Sequence, residues 1–144
     1  MVRGTLTDTY VAAVQHDLVD LDGARRLGVV RRPTAWFRAA VDENEPDLAP
    51  PERLLDRLEE AREDLKLRGM CEEGAHNAAW ENLRFAERYR EHLADAASAQ
   101  RALDEVVAAV ASGESIALVC YENTGKKRCH RTILREEIER RLEE

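Results

Sequence analysis

At 144 residues, with 44% hydrophobic and 35% charged positions, the chain is long enough to bury roughly 68 to 70% of its unfolded surface in one core, and no apolar run approaches the roughly 20 residues of a membrane helix. The formal charge of −7 disfavours general adhesion to nucleic acid, which needs a basic face to neutralise phosphates. No basic segment leading into an apolar one opens the sequence, so the expectation is a cytoplasmic protein with one α/β domain over residues 1–144 and no membrane contact.

The first apolar stretch, Thr9 to Gln15, is rich in β-branched and aromatic residues and predicts a buried strand. Asp22-Gly23 signals a turn, and Arg26 to Arg31 predicts a second strand that Arg32-Pro33 stops. Thr34 is placed to cap a short helix through Trp36, Phe37 and Val41. Residues 42–51 read as a surface linker, and Pro51 then suits the first turn of an amphipathic helix with Leu54, Leu55, Leu58, Ala61 and Leu65 on one stripe. Gly69 ends it, and a loop carrying Cys71 leads to a helix expected from His76 to Leu93. Ser98 reads as the cap of a further helix bearing Leu103, Val106, Val107 and Val110, which Gly113 stops.

The final quarter carries the chemistry. Ser115 to Tyr121 predicts a strand, Glu122 to Arg128 a polar loop, and Ile133, Leu134, Ile138 and Leu142 a closing helix that Cys129-His130-Arg131 opens. The expected architecture is a small sheet, mostly parallel or mixed, flanked by helices in a three-layer α/β/α arrangement, and such sheets bind ligands at the carboxyl ends of their strands. Cys129 at a helix start, amid Lys126, Lys127, Arg128 and Arg131, is in surroundings that depress a thiol pKa. Two of the chain's three lysines stand together in this loop, although 19 of its 22 cations are arginines.

The same segment reads as an anion cradle in which Gly125 frees the turn and Lys126, Lys127, Arg128 and Arg131 neutralise a phosphate or carboxylate. If the second strand runs parallel to the last, Arg31 and Arg32 reach the same sheet edge. A metal site from Cys120, Cys129 and His130 with Cys71 or His76 has the wrong spacing and too many cations nearby, so no metal is assigned. A Cys120–Cys129 disulfide would contribute roughly 2.5 to 3 kcal/mol in an oxidising setting. Glu72, Glu73, His76 and Asn77 offer either a general base or simply an acidic helix start.

Leu118-Val-Cys-Tyr-Glu122 followed by Arg128-Cys-His-Arg-Thr-Ile-Leu134 resembles the C-terminal signature of the DUF488 family. Leu27-Gly-Val-Val-Arg-Arg-Pro33 is similar to that family's strand followed by arginine and proline, and Phe85 to Glu91 to its central helix. Val30 stands where the family usually carries an acidic residue, and Asn123 to Lys127 departs from its shorter Asp-Pro loop. The resemblance implies an α/β fold and a site around Cys120, Cys129, His130, Arg131 and Arg31; it implies no reaction.

Three functions are then open. In the first, the strand-end pocket binds an anionic small molecule, such as a phosphate-bearing nucleotide, through Arg31, Lys126, Lys127, Arg128 and Arg131. In the second, Cys129 is a nucleophile or redox thiol, with His130 or His76 as proton acceptor and Cys120 as resolving partner. The third is an interaction module whose acidic helices meet a basic partner.

Overall fold

The computed structural model describes residues 2–144 and holds a four-stranded sheet with seven helices. The strands are β1 (Leu6–Tyr10), β2 (Arg25–Gly28), β3 (Glu43–Asn44) and β4 (Ile116–Cys120), in the order β1-β4-β2-β3 and all parallel. Helices flank this sheet in a three-layer α/β/α arrangement. β4 is central, and all five of its residues are buried, which is why it reads as an unbroken apolar run. No helix among the described residues is long and apolar enough to cross a membrane.

The chain enters β1 earlier than the apolar pattern suggests. Leu6 pairs with Ile116 and Tyr10 with Cys120, so the register runs out where β4 ends. Val11–Gln15, expected to be strand, therefore turns into a one-turn helix, α1, that buries Val11 and Ala13. Helix α2 (Ala35–Ala40) is capped by Thr34, whose hydroxyl accepts from Phe37 N at 3.2 Å. The supposed linker contains β3, which pairs with Leu27 and Gly28, and a short 3-10 turn over Pro46–Leu48.

Helix α3 (Glu52–Leu67) buries Leu54 and Leu58 and packs on α4 (Glu72–Asn82). The helix expected over residues 76–93 is broken: α5 (Phe85–Asp95) starts anew after Arg84, which sits in the left-handed region at φ 54°, ψ 45°. The break lets Phe85 stack on Trp80 with ring centroids 4.1 Å apart, a contact between residues on opposite sides of a straight helix. Helix α6 (Ala97–Ala111) begins at Ala96, with Ser98 inside it rather than capping it. Helices α5, α6 and α7 (His130–Leu142) pack against one another, and α7 lies along β1 and β4.

Asn44 extends the sheet edge with its side chain. Its Oδ1 accepts from Val30 N at 3.1 Å and its Nδ2 donates to Val30 O at 2.9 Å, which holds the chain straight beyond β2 and carries Arg31 toward the end of β4.

Candidate functional site

Cys120 is the last residue of β4, and Cys129 is the residue from which α7 starts. The loop between them folds back so that their sulfurs lie 2.8 Å apart, both free and both buried. His130 Nε2 donates to Val29 O at 2.6 Å, which leaves Nδ1 with a lone pair, 3.6 Å from Cys129 Sγ. Tyr89 meets the His130 ring edge-on at 5.4 Å between centroids and fixes its plane.

Arg131 is buried and fully occupied. Its Nε donates to Asp8 at 2.6 Å, and its terminal nitrogens reach Thr9 O, Glu122 O at 3.1 Å, Thr124 Oγ1 at 3.0 Å and Cys120 Sγ at 3.1 Å. Asp8 also pairs with Arg135, so one carboxylate faces two guanidinium groups and positive charge is left over beside the thiols. Neither Asp8 nor this pairing is legible from the motif, because β1 lies more than a hundred residues away in sequence.

The two thiols are driven apart in acidity. Burial pushes the Cys120 thiol up, and its hydrogen bond to Cys129 adds to that effect. Burial opposes ionisation of Cys129 as well, but the hydrogen bond from Cys120, the Arg131 backbone N–H and the Arg131 charge outweigh it and hold this thiol below its ordinary value. Burial pushes His130 down, so its imidazole is neutral near pH 7. Buried Arg131 keeps its proton because both sulfurs and Asp8 favour the cation.

A cavity of about 220 Å³ opens against this pair. Its apolar wall is Leu55, Leu58, Trp80 and Phe85, and its polar rim includes Arg31, Arg62, Arg128, Glu59 and Glu122. β2 and β4 are parallel, and Arg31 and Arg32 do reach the edge occupied by Cys120. Arg32 pairs with Glu52 and Asp56. Arg31 spends its donors on backbone carbonyls, Pro50 O at 2.9 Å and Ala49 O at 3.2 Å, and among the described residues no carboxylate forms an ion pair with it. Its charge therefore has no direct carboxylate partner among the described residues, with Glu59 and Glu122 elsewhere on the rim.

Of the loop cations, Arg128 lines the cavity, while Lys126 and Lys127 do not. Lys127 reaches Glu72 at 3.1 Å and Glu122 at 3.9 Å, Arg128 reaches Glu81 at 3.0 Å, and Lys126 is exposed off the cavity wall. The start of α4 acts as a clamp on this loop: Asn77 Nδ2 donates to Lys126 O at 3.0 Å, Arg128 N donates to Asn77 Oδ1 at 3.0 Å, and His76 Nε2 donates to Arg128 O at 2.8 Å. His76 and Asn77 thus hold the backbone that presents Cys129. Cys71 is exposed at the N-terminus of α4, away from the paired sulfurs, and among the described residues no group of His, Cys, Asp and Glu has the arrangement of a metal site.

A family model described as DUF488-N3a, the active DUF488-N3 subclade, matches residues 9–142. No curated protein and no solved structure matches the chain.

Proposed function

The chain belongs to the DUF488 family, and from that premise we propose that it is a thiol-dependent enzyme in which Cys129 attacks a small anionic molecule held in the strand-end cavity. One observation carries this reading: two thiols touch on a cavity wall, and the one at the helix N-terminus has the Cys120 thiol and the Arg131 backbone N–H and charge beside it, all of which favour its thiolate. A buried cysteine that only fills space gains nothing from a neighbouring S–H donor and an arginine.

The roles follow from position. Cys129 supplies the nucleophilic sulfur, and the His130 Nδ1 lone pair takes its proton when the thiol is neutral. The Arg131 backbone N–H and charge favour the Cys129 thiolate, while Arg31, whose donors meet backbone carbonyls, attracts the anionic end of the substrate. Trp80, Leu55 and Leu58 receive its apolar part and exclude water. A binding function without turnover would use the same Arg31 and cavity but would not need an acidic Cys129.

Alkylation of the native protein with iodoacetamide across a pH series, read peptide by peptide in a mass spectrometer, separates the two. The expected result is a Cys129 rate that rises and levels at lower pH than a free thiol of pKa about 8.5 permits, with Cys120 unlabelled. Slow labelling of Cys129 at every pH below about 9 would reject the nucleophile. Arg31→Ala should slow modification by the anionic reagent iodoacetate more than by neutral iodoacetamide.

A further inference from the structure

We infer that Cys120 and Cys129 cycle between a dithiol and a disulfide, and that the substrate class is a low-molecular-weight disulfide carrying an anionic group. This rests on the reading of Cys129 as nucleophile and adds a second sulfur and a substrate class to it. Any N–H or O–H could serve Cys129 as a hydrogen-bond donor, whereas a second sulfur at 2.8 Å is also placed to bond with it. The pair is separated by nine positions in sequence and held at the two ends of one loop, so forming an S–S bond of about 2.05 Å requires side-chain adjustment rather than refolding. Hydrogen peroxide would need neither the apolar wall of Leu55, Leu58 and Trp80 nor the cation at Arg31; an organic disulfide with a carboxylate uses both.

The steps balance as a two-electron exchange. The Cys129 thiolate attacks one sulfur of R–S–S–R, the Cys129–S–S–R bond forms, and RS⁻ leaves and takes a proton from solvent. Cys120 gives up its proton, its sulfur attacks the Cys129 sulfur, and the Cys120–Cys129 bond forms as the second RS⁻ departs and receives that proton. Two protein thiols are oxidised and the substrate disulfide is reduced to two thiols. A small dithiol, run in the opposite direction, restores the starting protein.

The probe is oxidised glutathione, applied to the reduced protein in a Cys71→Ser background, because Cys71 is exposed and would react by itself. The expected result is release of two equivalents of glutathione and a Cys120–Cys129 cross-linked peptide, with the cationic disulfide cystamine reacting about tenfold more slowly. Cys120→Ala should release one equivalent and retain a glutathionyl group on Cys129. Cross-linking in the unmutated pair is read directly, so the inference does not depend on that variant folding. Three results overturn it: a glutathionyl group that persists on Cys129 with Cys120 present, a Cys129 that alkylates readily yet ignores both disulfides, and cystamine reacting as fast as glutathione disulfide. The first two leave the nucleophile standing; a Cys129 inert to iodoacetamide as well removes both readings.

Discussion

Gly28 closes β2 at a point where a Cβ would stand 2.6 Å from Phe37 Cε1 and 2.7 Å from Asn44 Oδ1. Both neighbours are fixed, Phe37 in the core and Asn44 by its two hydrogen bonds to Val30. Gly28→Ala should therefore cost about 1 to 3 kcal/mol in urea unfolding, and by pushing Asn44 away it should loosen the segment that carries Arg31. Asp8 poses a different residue-scale question, since among the described residues it is the only carboxylate paired with Arg131. Asp8→Asn keeps the shape and removes the carboxylate that faces Arg131, whose charge acts on Cys129 as well as on Cys120. A positive field favours the thiolate, so the alkylation profile of Cys129 should move to lower pH in this variant, while stability falls by about 3 kcal/mol from the broken buried pair. A profile that stays in place would show that Arg131 serves only the fold.

At the scale of elements, the join between α4 and α5 and the clamp on the 122–128 loop are the revealing features. Arg84 holds a left-handed backbone conformation that an L side chain adopts at a cost of about 1 to 2 kcal/mol. Arg84→Gly should relieve most of that and raise stability by about 0.5 to 1 kcal/mol, less the exposed Arg84–Glu87 pair, as read from the urea midpoint. The clamp responds to acid. Glu72 joins Lys66 of α3 and Lys127 of the loop, and those hydrogen bonds, the Lys66 one foremost, hold its carboxyl at about 2. Its folded pKa lies below the unfolded value, so its contribution is complete above pH about 4.5 and is lost as the pH falls toward 2. Because the carboxylate is half-exposed, the expected outcome is earlier amide exchange in residues 122–128 across that range rather than global unfolding.

These elements also show what was readable beforehand. The strand, loop and helix that carry Cys120 and Cys129 were legible because an unbroken apolar run and a helical stripe are local signals. That Arg31 and Cys120 line one cavity accords with the expectation that parallel strands bring them to the same sheet edge. The fate of the loop cations was not legible: Lys127 and Glu72 are 55 positions apart, and Asn77 and Arg128 are 51 apart, so their pairing is a property of the packed structure. Of the strand expected over Thr9 to Gln15, Val11 to Gln15 is helix instead, because β-branched residues mark burial as readily as strand and only the register with β4 says where pairing stops.

For the whole molecule, oxidation of the sulfur pair should change stability with no change of sequence. Closing the short loop between residues 120 and 129 should raise stability by up to about 2.5 to 3 kcal/mol in the chain-entropy model, less any strain in the native bond. Urea unfolding with and without reductant measures it, and an oxidised form less stable than the reduced one would mean that bond formation distorts the α7 start. The surface ion pairs, such as Arg140–Glu137 and Arg135–Glu139, are exposed and contribute little beside this.

The strand order carries one consequence for how the chain is made. β1 and β2 each pair with β4 and not with each other, so their facing edges are joined by a strand that lies more than a hundred residues downstream of β1. During synthesis on the ribosome, both early strands wait with open hydrogen-bonding edges until residues 116–120 have left the exit tunnel. The sulfur of Cys120 arrives with the strand that completes the sheet, and Cys129 follows nine residues later. The sulfur pair thus comes into being in the same event that commits the chain to its fold, and a nascent chain stalled before residue 116 would offer a holding chaperone β1 unpaired, β2 paired on one edge alone, and no thiol pair at all.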